Sequence, residues 1–479
     1  MRSLQMSSGI TGPSAPSAPR SYVPRDPEAC PLVRLLRDHL DDFIARCDDD
    51  HRPLPRFVQR QLRAITTCGD LARGFVRLEC SRCRGPRVVP FSCKVRLCPS
   101  CAGRRMNEQA AHLVDRVLPH APYRQWVLTL PGELARVVAF DAGLATAVFG
   151  AFADEVARWQ RERAPDVGIV KPQTGCVLEI QRFADGARLY PHAHALVPEG
   201  VFVASADDQT ARFIRQDPPD DDDVERIVSR IEQRLTRVLD RWRATRNEDG
   251  DSHDEPLLPA CAEVPPTELV RVLSPNEPKD RRPAPKKSLC ARSPGGLELH
   301  AEVTIAAHDR NGLERLCRYL TRPPIPQDRL ERRGDGKLVL SLKRTWKGGV
   351  KAVVFEPHAL IARLAALVPA PYLQLRRFHG VFAPHHHLRS AIVLTPVADS
   401  AVPVAPKRPG RMSWADLLMR VWAIDALRCP YCGGRMRVIA AIHDPDAITA
   451  ILAAVHSDKW STRATGPPGP PAPHEPIAA

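Results

Sequence analysis

The sequence has no run of about 18 apolar residues, so no membrane span is expected. Its first twenty residues are rich in Ser, Pro and Gly and carry no apolar core. They therefore read as an unordered lead, not a secretion signal. No internal repeat is visible, and the carboxylates are scattered without the context of a three-carboxylate metal site. What is abundant is positive charge: 69 Lys and Arg against 55 Asp and Glu, a net +14 over 479 residues. That balance points to a polyanionic partner, most simply nucleic acid. The chain is long enough for two to four domains. With a cytoplasmic, reducing setting expected, closely spaced pairs among the 14 cysteines suggest metal more than disulfide.

Cys80-x-x-Cys83 and Cys98-x-x-Cys101, fourteen residues apart, have the spacing of a four-thiolate zinc site. Cys68 and Cys93 are left as neighbours, an alternative ligand pair or core cysteines. Arg77, Arg82, Arg84, Arg87, Lys94, Arg96, Arg104 and Arg105 crowd the same stretch, as expected of a zinc-stapled module that reads phosphates. A second knuckle, Cys429-Pro430-Tyr431-Cys432, has no obvious partner pair. Either histidines (His379, His385, His386, His387 or His443) complete it or it binds no metal.

Apolar spacing predicts helices over 31–66, broken at Pro53 and Pro55, and over 133–162. Cys176–Phe183 and Arg188–Val197 read as two strands of a hairpin. In the second, His192-Ala193-His194 puts two imidazoles on one face, because strand side chains alternate. With Asp185-Gly186 as a two-residue turn, Glu179 falls opposite His192 and Gln181 opposite Tyr190. Either Gln181 or Glu179 could then add an oxygen ligand to a catalytic Mg²⁺ or Mn²⁺. Downstream, Tyr319 lies on a cationic helix between Arg315, Arg318 and Arg322, ahead of Pro323-Pro324. A phenol there could attack a phosphodiester held by guanidinium groups. The plain alternatives are ordinary strand histidines and a core tyrosine.

Taken together, these blocks resemble the rolling-circle insertion-sequence transposases, whose core is the His-hydrophobe-His (HUH) nuclease fold. The resemblance covers roughly 30–460. It runs through Phe91-Ser92-Cys93-Lys94, Cys98-Pro99-Ser100-Cys101, Ile180-Gln181-Arg182-Phe183, Pro191-His192-Ala193-His194, Arg318-Tyr319, His379-Gly380-Val381-Phe382 and Cys429-Pro430-Tyr431-Cys432-Gly433-Gly434. It implies an α+β fold: an antiparallel sheet with flanking helices, preceded by a small helical and zinc-ribbon domain. It implies His192 and His194 as metal ligands, with Gln181 favoured as the third because it lies in a shared block. It also implies Tyr319 as the nucleophile, leaving a 5′-phosphotyrosine on single-stranded DNA at the element ends. Some relatives carry two tyrosines four apart; here the flanking positions are Arg315 and Pro323. One tyrosine must be reused, or a second protomer of a homo-oligomer supplies another.

The expected boundaries are a lead (1–28), a helical and zinc-binding domain (29–120), a catalytic domain (121–368), a C-terminal knuckle module (369–460) and an unordered tail (461–479). Residues 203–295, acidic and Pro-rich, read as an insertion lying away from the DNA groove. The competing reading is a zinc-containing DNA-binding protein without catalysis.

Overall fold

A computed structural model describes residues 20–22, 26–164, 171–205, 210–248, 257–271, 289–393 and 413–457. The tail after 461 and nearly all of the expected lead lie outside the described residues. By its contacts the chain divides into two units. One is drawn from Met1–Asp26, Gly69–Phe91 and Gly410–Ala479, the other from Pro27–Cys68 and Ser92–Pro409. The serial boundaries read from the sequence are not where the chain divides. The strand pair around Cys80 belongs with the C-terminal knuckle, and the Arg376–Gly380 strand joins the main sheet.

That sheet is antiparallel. Its strands run in the order Cys290–Arg292, Glu298–His300, Tyr123–Thr129, Arg188–Pro198, Gly175–Ala184, Arg376–Gly380, with Thr304–Ile305 also on Tyr123–Thr129. Alternation sorts its side chains. Trp126, Leu128, Leu178, Ile180, Ala193 and Ala195 pack on one face against Phe149, Phe152 and Val156 of helix Ala142–Glu162. Tyr123, Val177 and Leu196 on the other face meet helix Pro99–Arg116 and helix Arg310–Leu320. The two central strands are thus buried on both sides, and any polar residue there needs a partner or a function.

The helix expected over 133–162 breaks at Asp141. Its carboxylate caps the second half by accepting from the Leu144 N–H at 2.7 Å.

Within residues 203–295 the structure places a long helix, a short helix and a strand. Helix Asp221–Glu248 buries Val224, Ile227, Val228, Ile231 and Leu235, a helical stripe, in the core of the main sheet. Arg230 and Arg234 of its other side pair with Glu162 at 2.7 Å and Asp154 at 2.6 Å. Helix Leu257–Glu263 and strand Glu268–Arg271 follow, the strand pairing with Val350–Phe355 in a four-stranded sheet. The described parts of this stretch are packed into the scaffold.

The smaller unit holds a three-stranded antiparallel sheet, Met436–Ile442 against Phe75–Cys80 against Pro86–Pro90. Phe75, Val88 and Ile448 fill one small core, and Leu78, Met436 and two cysteines another.

Candidate active site

The hairpin that carries the histidines has a register two residues away from the expected one. Its turn has three residues, Asp185–Ala187, with Gly186 at φ 72° and Ala187 at φ 55°. Ala184 therefore faces Arg188, and Phe183 faces Leu189. The ladder then shifts by one more residue beside Pro191, which has no N–H to donate. Past this bulge Gln181 faces His192 and Glu179 faces His194. A shift of two preserves the face, so all four side chains stay on one side. Gly186 cannot be enlarged easily, since a Cβ there would lie 2.7 Å from Trp346.

The hydrogen bonds of this face leave a particular set of atoms over. His192 directs Nδ1 at the carbonyl of Tyr190, 2.9 Å away, which leaves Nε2 as the lone-pair nitrogen. The Gln125 amide sits 2.7 Å from Nδ1 of His194. It is the amide nitrogen, Nε2, that faces the ring. Nε2 of His194 is buried and, among the described residues, has no hydrogen-bond partner. Gln181 donates through Nε2 to the carbonyls of Tyr319 at 3.1 Å and Leu320 at 2.7 Å, while its Oε1 is buried and likewise unpartnered. The two imidazole centroids are 4.9 Å apart.

Burial holds both histidines below the usual imidazole range; for His194 the neighbouring His192 and Arg322 push further the same way. Neutral imidazoles and an amide oxygen with nothing to bind form a donor set that fits a divalent cation. Glu179 is engaged elsewhere: Arg376 donates Nε–H to its Oε2 at 2.7 Å and also reaches Gln109 at 3.1 Å. Burial pushes the Glu179 carboxyl up, against the pull of Arg376.

Helix Arg310–Leu320 starts at Asp309, whose side chain accepts from the Gly312 N–H, and it buries Leu313, Leu316, Cys317 and Leu320. Tyr319 is left on the open side, 36% exposed, its ring edge-on to His194 at 5.8 Å. Arg322 lies over the phenol ring at 4.5 Å and Lys343, from strand Leu338–Trp346, at 4.8 Å. Of the three arginines expected around Tyr319, only Arg322 stacks on it. Arg318 pairs with Glu314 at 3.0 Å, and Arg315 reaches Asp309 at 3.9 Å.

Lys343 was not singled out from the sequence. A lone lysine on a strand has no signature. Burial, then Arg322 and Arg344, hold its ammonium below the usual lysine range. Its strand is tied to the hairpin turn, the Lys343 N–H donating to Asp185 at 2.8 Å. A cavity of about 70 Å³ adjoins, lined among others by Arg96, Arg105, Gln181 and Arg322.

The cysteines regroup. The expected quartet of Cys80, Cys83, Cys98 and Cys101 is divided between two clusters, Cys68–Cys93–Cys98–Cys101 and Cys80–Cys83–Cys429–Cys432. Sequence spacing alone could not see this, because the strand pairing of Phe75–Cys80 with Met436–Ile442 carries the C-terminal knuckle to Cys80. Among the described residues no histidine completes either cluster. In the first cluster Cys68 lies 3.4 Å from Cys101 and 3.7 Å from Cys98, and the Cys93 N–H donates to the Cys68 sulfur at 3.3 Å. Cys98 caps helix Pro99–Arg116, whose N-terminal dipole favours thiolate.

Residues 35–130 match the family "Transposase zinc-binding domain", and residues 175–390, which contain every residue of the histidine and tyrosine site except Gln125, match the family "Putative transposase". The chain belongs to the insertion-sequence transposases of the IS91 type, with an N-terminal zinc-binding domain. The transposase of insertion sequence element IS801 from Pseudomonas savastanoi pv. phaseolicola is 22% identical over 387 residues, covering 79% of this chain and 82% of the relative. No solved structure matches this transposase. Its zinc-binding match takes in all four cysteines of the first cluster and only Cys80 and Cys83 of the second. Among its described residues no helix is long and apolar enough to cross a membrane.

Proposed function

We propose that this transposase cleaves one DNA strand at the ends of its element through Tyr319, on an HUH-type metal site, and rejoins it elsewhere. The observation that carries the reading is the pair of buried, unpartnered polar atoms, His194 Nε2 and Gln181 Oε1, left over beside His192 on the face where Tyr319 stands. His192, His194 and Gln181 would hold Mg²⁺ or Mn²⁺, which when bound polarises the scissile phosphate. Glu179 is set aside as a ligand because Arg376 occupies it.

The phenol oxygen attacks phosphorus, the P–O3′ bond breaks, and the departing 3′-oxygen takes a proton, giving a 5′-phosphotyrosine and a free 3′-hydroxyl. Reversal with another 3′-hydroxyl restores a phosphodiester and frees the tyrosine, so no nucleotide hydrolysis is needed. Arg322 and Lys343 both lie against the Tyr319 ring, which places two cations beside the attacking group. They also screen the incoming phosphate. Single strands are the substrate class this chemistry implies, and the +14 charge of the chain suits it.

The test is a denaturing gel on end-labelled single-stranded oligonucleotides carrying an element end. Wild type is expected to retain the label on the strand 3′ of the nick, and Tyr319→Phe is expected to retain none. An undiminished adduct in Tyr319→Phe moves the nucleophile elsewhere, with Tyr190 next to be examined. No adduct from wild type with Mg²⁺ or Mn²⁺ leaves a zinc-containing DNA-binding protein.

A further inference from the structure

Cys80-Ser81-Arg82-Cys83-Arg84-Gly85 and Cys429-Pro430-Tyr431-Cys432-Gly433-Gly434 fold as two copies of one knuckle. In each, the first cysteine's N–H donates to the carbonyl five residues on, Gly85 at 3.0 Å and Gly434 at 2.7 Å. In each, the residue four on returns its N–H to the first cysteine's carbonyl at 3.0 Å, Arg84 in one and Gly433 in the other. Those two residues share the left-handed conformation, φ 60° and 70°. Each knuckle is the tip of a short antiparallel pair, Glu79 with Pro86 and Arg428 with Arg435.

The tips face each other through sulfur: Cys80 to Cys432 is 3.5 Å and Cys83 to Cys429 3.6 Å, all four sulfurs lying within 4.8 Å of one another. A zinc ion with four thiolates at about 2.3 Å spaces its sulfurs about 3.8 Å apart, whereas a disulfide needs about 2.05 Å. The Arg82 N–H points at the Cys80 sulfur at 3.4 Å, a donor suited to thiolate. Gly434 leaves the closure just enough room. A Cβ there would come 3.1 Å from the Cys80 sulfur and 3.2 Å from that of Cys432.

We propose that Cys80, Cys83, Cys429 and Cys432 hold a second structural zinc ion, independent of the one at Cys68, Cys93, Cys98 and Cys101. The site is a ribbon split along the chain, its ligands as much as 352 residues apart. The zinc-binding family match, ending at residue 130, contains only half of it. The ion pins strand Met436–Ile442 to strand Phe75–Cys80 at the Met436–Cys80 pair, so the small sheet depends on metal more than on its modest apolar cores.

Full-length protein, purified reduced and weighed by native mass spectrometry with elemental analysis, is expected to carry two zinc ions. Cys429→Ser and Cys80→Ser should each carry one, Cys68→Ser should carry one, and Cys68→Ser/Cys429→Ser none. If serine variants fold poorly, wild type loaded with ¹¹³Cd should still give two tetrathiolate resonances, and Gly434→Ala should displace one of them only. One ion in wild type, a single cadmium resonance, two ions retained in Cys429→Ser, or both lost with Cys429 alone would each overturn the proposal.

Discussion

Replacing Gln181 tests the metal site most sharply, because its amide has two separable tasks. Nε2 makes two hydrogen bonds to the last carbonyls of the tyrosine helix, and Oε1 has no protein partner. Gln181→Leu removes both. Two net hydrogen bonds are worth about 1 kcal/mol each. The stability loss without metal should thus be about 2 kcal/mol, a fall in Tm of roughly 3 °C for a unit of this size at about 2.1 cal/mol/K of unfolding entropy per residue. Loss of a direct ligand should weaken Mn²⁺ binding at least as much as loss of an outer-shell partner, roughly 10–100-fold. Glu179→Gln is the control. It leaves Arg376, 13% exposed, without its carboxylate, which in a buried pair costs about 3–5 kcal/mol. Its Mn²⁺ affinity should nonetheless match wild type. Calorimetric Mn²⁺ titration and thermal melts in chelator would place the variants in opposite orders on the two scales. If Gln181→Leu binds Mn²⁺ like wild type, or Glu179→Gln binds it worse than Gln181→Leu, the ligand assignment is wrong.

His192→Ala and His194→Ala should each suppress oligonucleotide cleavage strongly, chelator should do the same to wild type, and added Mg²⁺ or Mn²⁺ should restore only the latter. Lys343→Met should slow adduct formation by about 10²-fold, the lower end for a group that manages a proton or its charge, with single-turnover rates as the measure. DNA affinity should change little in Tyr319→Phe, since its ring still meets Arg322 and Lys343; filter binding at fixed salt checks this. Ile231→Ala should cost about 2–5 kcal/mol in denaturant unfolding, as for a core residue; a loss under about 0.5 kcal/mol, the range of surface substitutions, would refute the burial of helix Asp221–Glu248 in the core of the main sheet.

The shared face of His192 and His194 was legible because a strand's period of two admits no other arrangement. The residues opposite them were misplaced by two. The turn took Ala187 into a left-handed conformation that alanine rarely adopts, and Pro191 added a bulge. The stripe from Val224 to Leu235 was plainly amphipathic, yet the acidic run before it and the Pro-rich stretch after it drew attention to charge instead of burial. The cysteine grouping was misread, although Cys68 and Cys93 stood as an alternative ligand pair, since local spacing ranks Cys98-x-x-Cys101 as the natural partner of Cys80-x-x-Cys83. Only the pairing of two strands distant in sequence reverses that choice. Lys343 reaches the site from a strand with no motif of its own.

The separation between the two halves of the second cysteine cluster also sets a clock. Ribosomes add about 5–20 residues per second, so Cys80 and Cys83 emerge roughly 20–70 s before Cys429 and Cys432 exist. Over that interval the residues that build the main sheet, the histidine pair and the tyrosine helix emerge from the ribosome in turn and begin to fold. The small sheet cannot be complete until strand Met436–Ile442 has been made. A nascent chain thus passes through a stage in which the cleavage chemistry is assembled and one of its cysteine modules is not, with two thiols open to whatever metal or oxidant arrives first.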